Sequence, residues 1–340
     1  MALNSLWNRL TEVSTQPDRR SLRLWVWILE KLDLALYKPQ PAPKVQISSL
    51  TGRRGQYYIL KNPEAVTYYQ ISERDYYIWE KMDGTLSVKD LVVEYFLKYG
   101  SFAFARIARF VYGLKANSML ADQPVNVYQQ VNLRLHERRL GYRLQQFGSA
   151  FMQKPFAIHG IDGLVDWLYR WGGWLLFTRP LQVMYIIISA VGIVLFVRAF
   201  QAPTYKLVTV NGSYWLGLIA LAVILLFTLL THEFAHALTV KNYGREVRRA
   251  GLMIYLGMPG FFVDTSDIWM EGKRARLAVT WAGPFSGLVL SGIAAIILTF
   301  WSEFSLNPVL FRFAFLSYVI VFMNVNPLIK LDGYYLLMDW

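Results

Sequence analysis

Residues 214–240 read YWLGLIALAVILLFTLLTHEFAHALTV, and this stretch decides the fold. At 1.5 Å per residue it is long enough to cross the roughly 30 Å hydrocarbon core of a bilayer as one helix. No charge interrupts it before position 232; then His232, Glu233 and His236 arrive together. An ionisable residue inside a membrane span is costly and marks a functional site by default. These positions use two of the four histidines in the chain.

Three more apolar runs of similar length, 181–200, 277–301 and 309–325, flank it. The second half of the chain is therefore expected to be a polytopic α-helical membrane domain of four spans. Composition agrees: 17% of the 340 residues are charged, against roughly 25% in a soluble protein. The apolar excess falls in the second half, and the first half reads as soluble and cytosolic. The predicted divisions are 1–43, amphipathic helices and a Pro-rich linker; 44–125, a small α+β, winged-helix-like domain; 126–180, a basic linker with interfacial helices; and 181–340, the membrane domain. The fold class is mainly α.

The net charge of +12 matches the Lys and Arg excess that membrane proteins carry on cytoplasmic segments, and no motif points to nucleic acid. The absence of cysteine excludes disulfides and thiolate-held zinc, so any metal must be held by His and carboxylates. The N-terminus lacks the continuous apolar core of a signal peptide.

Amphipathic helices are expected at 3–12 and 21–36, the second able to lie on a bilayer surface. Lys38-Pro39-Gln40-Pro41-Ala42-Pro43 reads as a stiff linker. Strand-like runs follow at 45–50, 56–60 and 66–70, the first two divided by a turn signal at 51–55. Ser72, with Asp75 three residues on, should begin a helix, and two more are predicted over 85–100 and 102–117. Residues 126–147 read as a basic amphipathic helix, and Trp167, Tyr169, Trp171 and Trp174 as an interfacial belt. Residues 251–270 hold Gly257, Pro259 and Gly260 amid apolar residues and predict an irregular, membrane-dipping loop.

Lys241, Arg245, Arg248, Arg249, Lys273, Arg274 and Arg276 all lie between the second and third runs. The positive-inside rule puts that connection, and the basic N-terminal half, on the cytoplasmic side of a bacterial-type membrane. Four crossings return the C-terminus to the same side. His232, His236 and Asp332, which follows the fourth run, then fall at one depth, with His236 ~8 Å and His232 ~14 Å inside Lys241 by helical rise.

Residues four apart share a helix face, so His232 and His236 can present imidazole nitrogens to one Zn²⁺ with Glu233 beside them. This is the His-Glu-x-x-His spacing of zinc hydrolases. Zinc acidifies a water towards a pKa of ~7, and a neighbouring carboxylate can carry its proton to the leaving amine of a peptide. A catalytic zinc wants a third protein ligand. His136 and His159 lie in the basic half, so Asp332 is the better candidate. Gly283-Pro284 reads as a point of close helix packing and a kink.

His232-Glu233-x-x-His236, taken with Asn324-x-x-Pro327-x-x-x-x-Asp332-Gly333, resembles the site-2 protease group of intramembrane zinc metalloproteases. Over 165–340 the chain is similar to a bacterial subgroup of peptide zinc metalloproteases, with which it shares Phe262-Val263-Asp264-Thr265-Ser266-Asp267 and Ala282-Gly283-Pro284. The resemblance implies His232, His236 and Asp332 as zinc ligands, Glu233 as catalytic acid/base and Asn324 as a substrate contact. It also implies peptide maturation or export, with a peptide exporter as a possible partner. Ser286-Gly287 stand where the family often has Asn. Trp340 follows Asp332 closely, so little chain is expected to hold that ligand in place.

Residues 45–125 resemble the small peptide-binding domain of pyrroloquinoline-quinone biosynthesis, on Ile78-Trp79-Glu80-Lys81-Met82-Asp83-Gly84-Thr85-Leu86-Ser87-Val88. That resemblance implies a domain that holds a peptide, added as a strand to its sheet edge. Asp264 and Asp267 read equally as an active-site entrance that binds a peptide amine and as loop caps. The expectation is a zinc endopeptidase in the lipid bilayer, cutting a membrane-bound or exported peptide near the cytoplasmic face. The alternative is a non-catalytic, zinc-containing accessory or receptor of a peptide export system. A metal transporter is disfavoured, because the first and third runs carry essentially no ionisable residues.

Overall fold

The computed structural model describes residues 34–52, 55–121, 156–201, 205–255, 258–301 and 303–340. The helices expected at 3–12, most of 21–36 and 126–147, together with His136, lie outside these residues. The chain divides into two compact units, Met1–Asn126 and Val127–Trp340.

In the first unit, β1 (Gln46–Gly52), β2 (Gly55–Asn62) and β3 (Thr67–Ser72) form an antiparallel sheet in that order. Its register pairs Ile47 with Leu60 and Leu60 with Tyr69. Helices α1 (Glu73–Glu80), α2 (Val88–Tyr99) and α3 (Phe104–Ala116) follow. Ser72 caps α1 by accepting from the Asp75 amide. Ser87 and Asp90 form a reciprocal capping box at the start of α2, which ends at Gly100 with φ 67°. The core is read directly from helical spacing. Val88, Leu91, Val92 and Tyr95 of α2 meet Ile107, Phe110, Val111 and Leu114 of α3, over Leu60 and Ile71 of the sheet. Each such side chain contributes about 1.5–3 kcal/mol on burial. The Pro-rich stretch is part of this unit rather than a free linker. The Ala42 amide donates to Met119 O and the Ala121 amide to Gln40 O, so the residues on either side of Pro41, which has no N–H, tie this stretch to the end of the unit.

In the second unit four helices are long and apolar enough to cross a membrane: α5 (Arg179–Gln201), α6 (Tyr214–Asn242), α7 (Lys273–Phe300) and α8 (Asn307–Val325). A short helix, α4 (Asp162–Arg170), precedes them, and α9 (Asp332–Asp339) follows. α7 is central and packs on α5, α6, α8 and α9. At the α5–α7 crossing a Cβ on Gly192 would overlap Gly292 Cα, so small residues let the two backbones touch. Arg312 of α8 is buried, and its guanidinium donates to Leu207 O, Thr209 O and Pro308 O at 3.0, 2.7 and 2.9 Å. The connection between α5 and α6 is thereby tied to α8.

The connection between α6 and α7 is not irregular. β5 (Arg249–Tyr255) and β6 (Met258–Val263) form an antiparallel hairpin, and β4 (Phe156–His159) adds a third strand in the order β4-β5-β6. The ladder pairs Ile158 with Ala250 and Ala250 with Val263, so backbone groups are satisfied within the sheet. Gly251 is required because a Cβ there would collide with Phe156 O. Cations that mark this connection in the sequence are mostly paired. Lys241 meets Asp162 at 2.6 Å, and Arg249 meets Asp264 at 2.8 Å; Arg245 pairs with Glu271.

Candidate metal centre

α6 provides His232 and His236 one turn apart, each 6% exposed, with their Nε2 atoms 3.1 Å apart. His236 Nδ1 lies 2.7 Å from the Val279 carbonyl oxygen of α7. A carbonyl only accepts, so Nδ1 carries the proton and Nε2 presents a lone pair. Room for both rings comes from Gly283, where a Cβ would stand 2.5 Å from His232 Nε2 and overlap His236 Nε2. The α7 backbone is therefore the back wall of the site.

Asp332 opens α9. Its Oδ2 lies 3.0 Å from His232 Nε2 and 3.5 Å from His236 Nε2, yet it is buried and has no hydrogen-bond partner. Two imidazole nitrogens and a carboxylate oxygen brought this close in a buried place are suited to a cation among them. A tetrahedral site with arms of about 2.0–2.1 Å holds its donors about 3.3 Å apart, and the spacings here are 3.0, 3.1 and 3.5 Å. Two imidazoles and a carboxylate are a donor set suited to Zn²⁺.

Glu233 takes the adjacent face of α6. One ligand atom each from His232, Glu233 and His236 fall within 4.8 Å of one another, and Val263 at the end of β6 lines the same spaces as Glu233. Glu233 lines two spaces. One is a cavity of about 410 Å³ shared with His236, Asp332, Arg276 and Tyr335. The other is an almost wholly apolar groove of about 370 Å³ walled by Phe156, Leu230, Phe234 and Phe261. A carboxylate at such a boundary can exchange a proton with water on one side while an apolar chain occupies the other.

Asp332 is not loosely held. A Cβ on Gly333 would overlap Val325 O and meet Asn324 O at 2.8 Å, so the glycine lets α9 start directly against the end of α8. At the other end of α9, Arg276 pairs with Asp339 at 3.3 Å and Lys273 Nζ donates to Trp340 O at 2.6 Å. Both cations stand on the first turn of α7, the same helix that backs the histidines.

The remaining sequence candidates are engaged inside the protein. Asp264 Oδ2 meets Arg249, and its Oδ1 accepts from the Ser266 amide. Burial pushes this carboxyl up, but the bonds from Ser266 and Arg249 outweigh it and hold it below the usual carboxylate range. Asp267 is 3% exposed and accepts from the Glu246 amide. Asn324 donates to Ile320 O one turn back in α8. His159 is exposed at the end of β4, opposite Arg249. The Val279 carbonyl was invisible to sequence reasoning, since backbone groups carry no residue signature. The Arg276–Asp339 pair has no spacing motif to reveal it. Gly283 was visible as a packing residue but not as the wall of the site.

No family model matches the chain, and no solved structure matches it. An uncharacterised protein of Methanocaldococcus jannaschii is 36% identical over 76 residues, covering 22% of this chain; the chain spans 20% of that relative's length.

Proposed function

We propose that the chain is an intramembrane zinc-dependent endopeptidase that holds Zn²⁺ between His232, His236 and Asp332 and cuts a membrane-bound or exported peptide. One observation carries the reading. Two imidazole nitrogens and a carboxylate oxygen converge within 3.5 Å beside Glu233, at helices apolar enough to cross a membrane. Bound there, zinc would supply Lewis-acid polarisation of the peptide carbonyl and bring the pKa of water towards ~7. Glu233 takes the proton from water and delivers it to the leaving amine. The Val279 carbonyl keeps the His236 Nε2 lone pair turned inward.

β6 is an edge strand, and its last residue, Val263, lines the same groove as Glu233, so an extended peptide laid along that edge would pass near the carboxylate. Its apolar side chains would enter the groove walled by Phe234 and Phe261. The Lys and Arg residues between α6 and α7 favour a cytoplasmic position for the site. The N-terminal unit, read as winged-helix-like, would hold or present the peptide at a sheet edge formed by β1 or β3.

The test is purified zinc-loaded protein with a panel of transmembrane and amphipathic peptides. Wild type should cleave a member of the panel, and Glu233→Gln should keep zinc while losing about 10²–10⁴-fold in rate. Zinc binding with no cleavage would favour the accessory reading. Undiminished cleavage by Glu233→Gln would sink the assignment of the base.

A further inference from the structure

We propose that the N-terminal unit docks on an anionic lipid surface through the outer faces of α2 and α3. On α2, Val93, Phe96 and Leu97 are exposed on one stripe, and Lys89 lies one turn before them on the same stripe. The turn into α3 carries Phe102, 76% exposed, and Phe104. On α3, Ala105, Arg109, Tyr112 and Ala116 form a second exposed stripe at positions i, i+4, i+7 and i+11. Large apolar side chains this exposed and this close in sequence mark an interaction surface rather than ordinary surface scatter.

Charge selects the occupant. α3 contains no acidic residue. The two acids of α2 are already engaged: Asp90 in the capping box, and Glu94 with Lys81 and Tyr77. Lys89 and Arg109 have no carboxylate at ion-pair distance among the described residues. The surface is thus apolar and aromatic with unbalanced cations, the composition that suits the headgroup region of an anionic bilayer. The same chain carries four helices fit to cross a membrane, so such a surface is present on the molecule's own account. Phe102 and Leu97 would enter the acyl boundary while Lys89 and Arg109 meet phosphates.

The chain has no cysteine, which permits single-site labelling of the full-length protein in nanodiscs. Leu97→Cys and Phe102→Cys would each carry an environment-sensitive fluorophore, with Glu64→Cys on the β2–β3 turn as reference. The discs would contain phosphatidylglycerol and a lipid with a nitroxide on its acyl chain. Labels at 97 and 102 should be quenched and blue-shifted, and the label at 64 should not. Lys89→Gln or Arg109→Gln should each weaken the quenched fraction's docking constant by about fivefold, and discs of neutral lipid should weaken it further. Equal quenching at all three positions would overturn the proposal. So would a blue shift at 97 and 102 without nitroxide quenching, which would mean that protein covers the face. Circular dichroism of each variant separates lost docking from lost folding.

Discussion

At Gly283 the α7 backbone touches both imidazoles, and a methyl group would have to displace one of them. Gly283→Ala is therefore expected to weaken zinc binding about 10–100-fold, the usual cost of disturbing the groups that orient metal ligands. Chelator competition measures this, and Ser286→Ala, whose hydroxyl only bonds Gly283 O within the helix, should leave the affinity unchanged. Arg276 acts at longer range. It anchors Asp339 and so fixes the helix that begins with Asp332. Arg276→Gln should also weaken zinc about 10–100-fold, and the exchange Arg276→Asp with Asp339→Arg should recover part of it. Full affinity in the single variant would show that Asp332 needs no anchor. His232, Glu233 and His236 were legible in the sequence because ionisable groups stand out against an apolar run, and Asp332 because it directly follows the fourth such run. The carbonyl of Val279 was not legible, since any residue could supply it.

Among the elements, α2 has the most explicit local code. Ser87→Ala removes its cap and should cost about 1 kcal/mol, read as a lower denaturation midpoint. The Ser87 hydroxyl and amide hold Asp90 below the usual carboxylate range. A folded pKa that is depressed contributes stability above the unfolded value of about 3.9, and that contribution disappears as pH falls through the folded value. Asp90→Asn should flatten the acid side of the midpoint-versus-pH curve; an unchanged acid limb would exclude the box as its source. Among the described residues the long helices were legible because 3.6-residue spacing, apolar run length and caps are local. The β4-β5-β6 sheet was not. Gly257, Pro259 and Gly260 resemble loop punctuation, and the third strand comes from residues 156–159, far away in sequence. At the α5–α7 crossing, Gly192→Val should separate helices that now touch at Gly292 and lower stability by about 1–3 kcal/mol, seen as a lower melting temperature in detergent.

For the whole molecule, hydropathy delivers four membrane-length helices, and they are present; the chain also divides into two compact units at Asn126. What sequence could not supply is how the distant pieces of the centre meet. α6 brings two histidines, α9 brings Asp332, and α7 holds both, backing the rings with Gly283 and anchoring α9 with Lys273 and Arg276. The central claim is that these three elements close around one metal ion. Metal analysis of the purified full-length protein after zinc loading and desalting tests it most directly. The account predicts one zinc per chain in wild type and in Glu233→Gln, and loss of that zinc in His232→Ala, His236→Ala and Asp332→Ala. Wild type that retains no zinc, or an Asp332→Ala protein that binds it as tightly as wild type, would contradict the account.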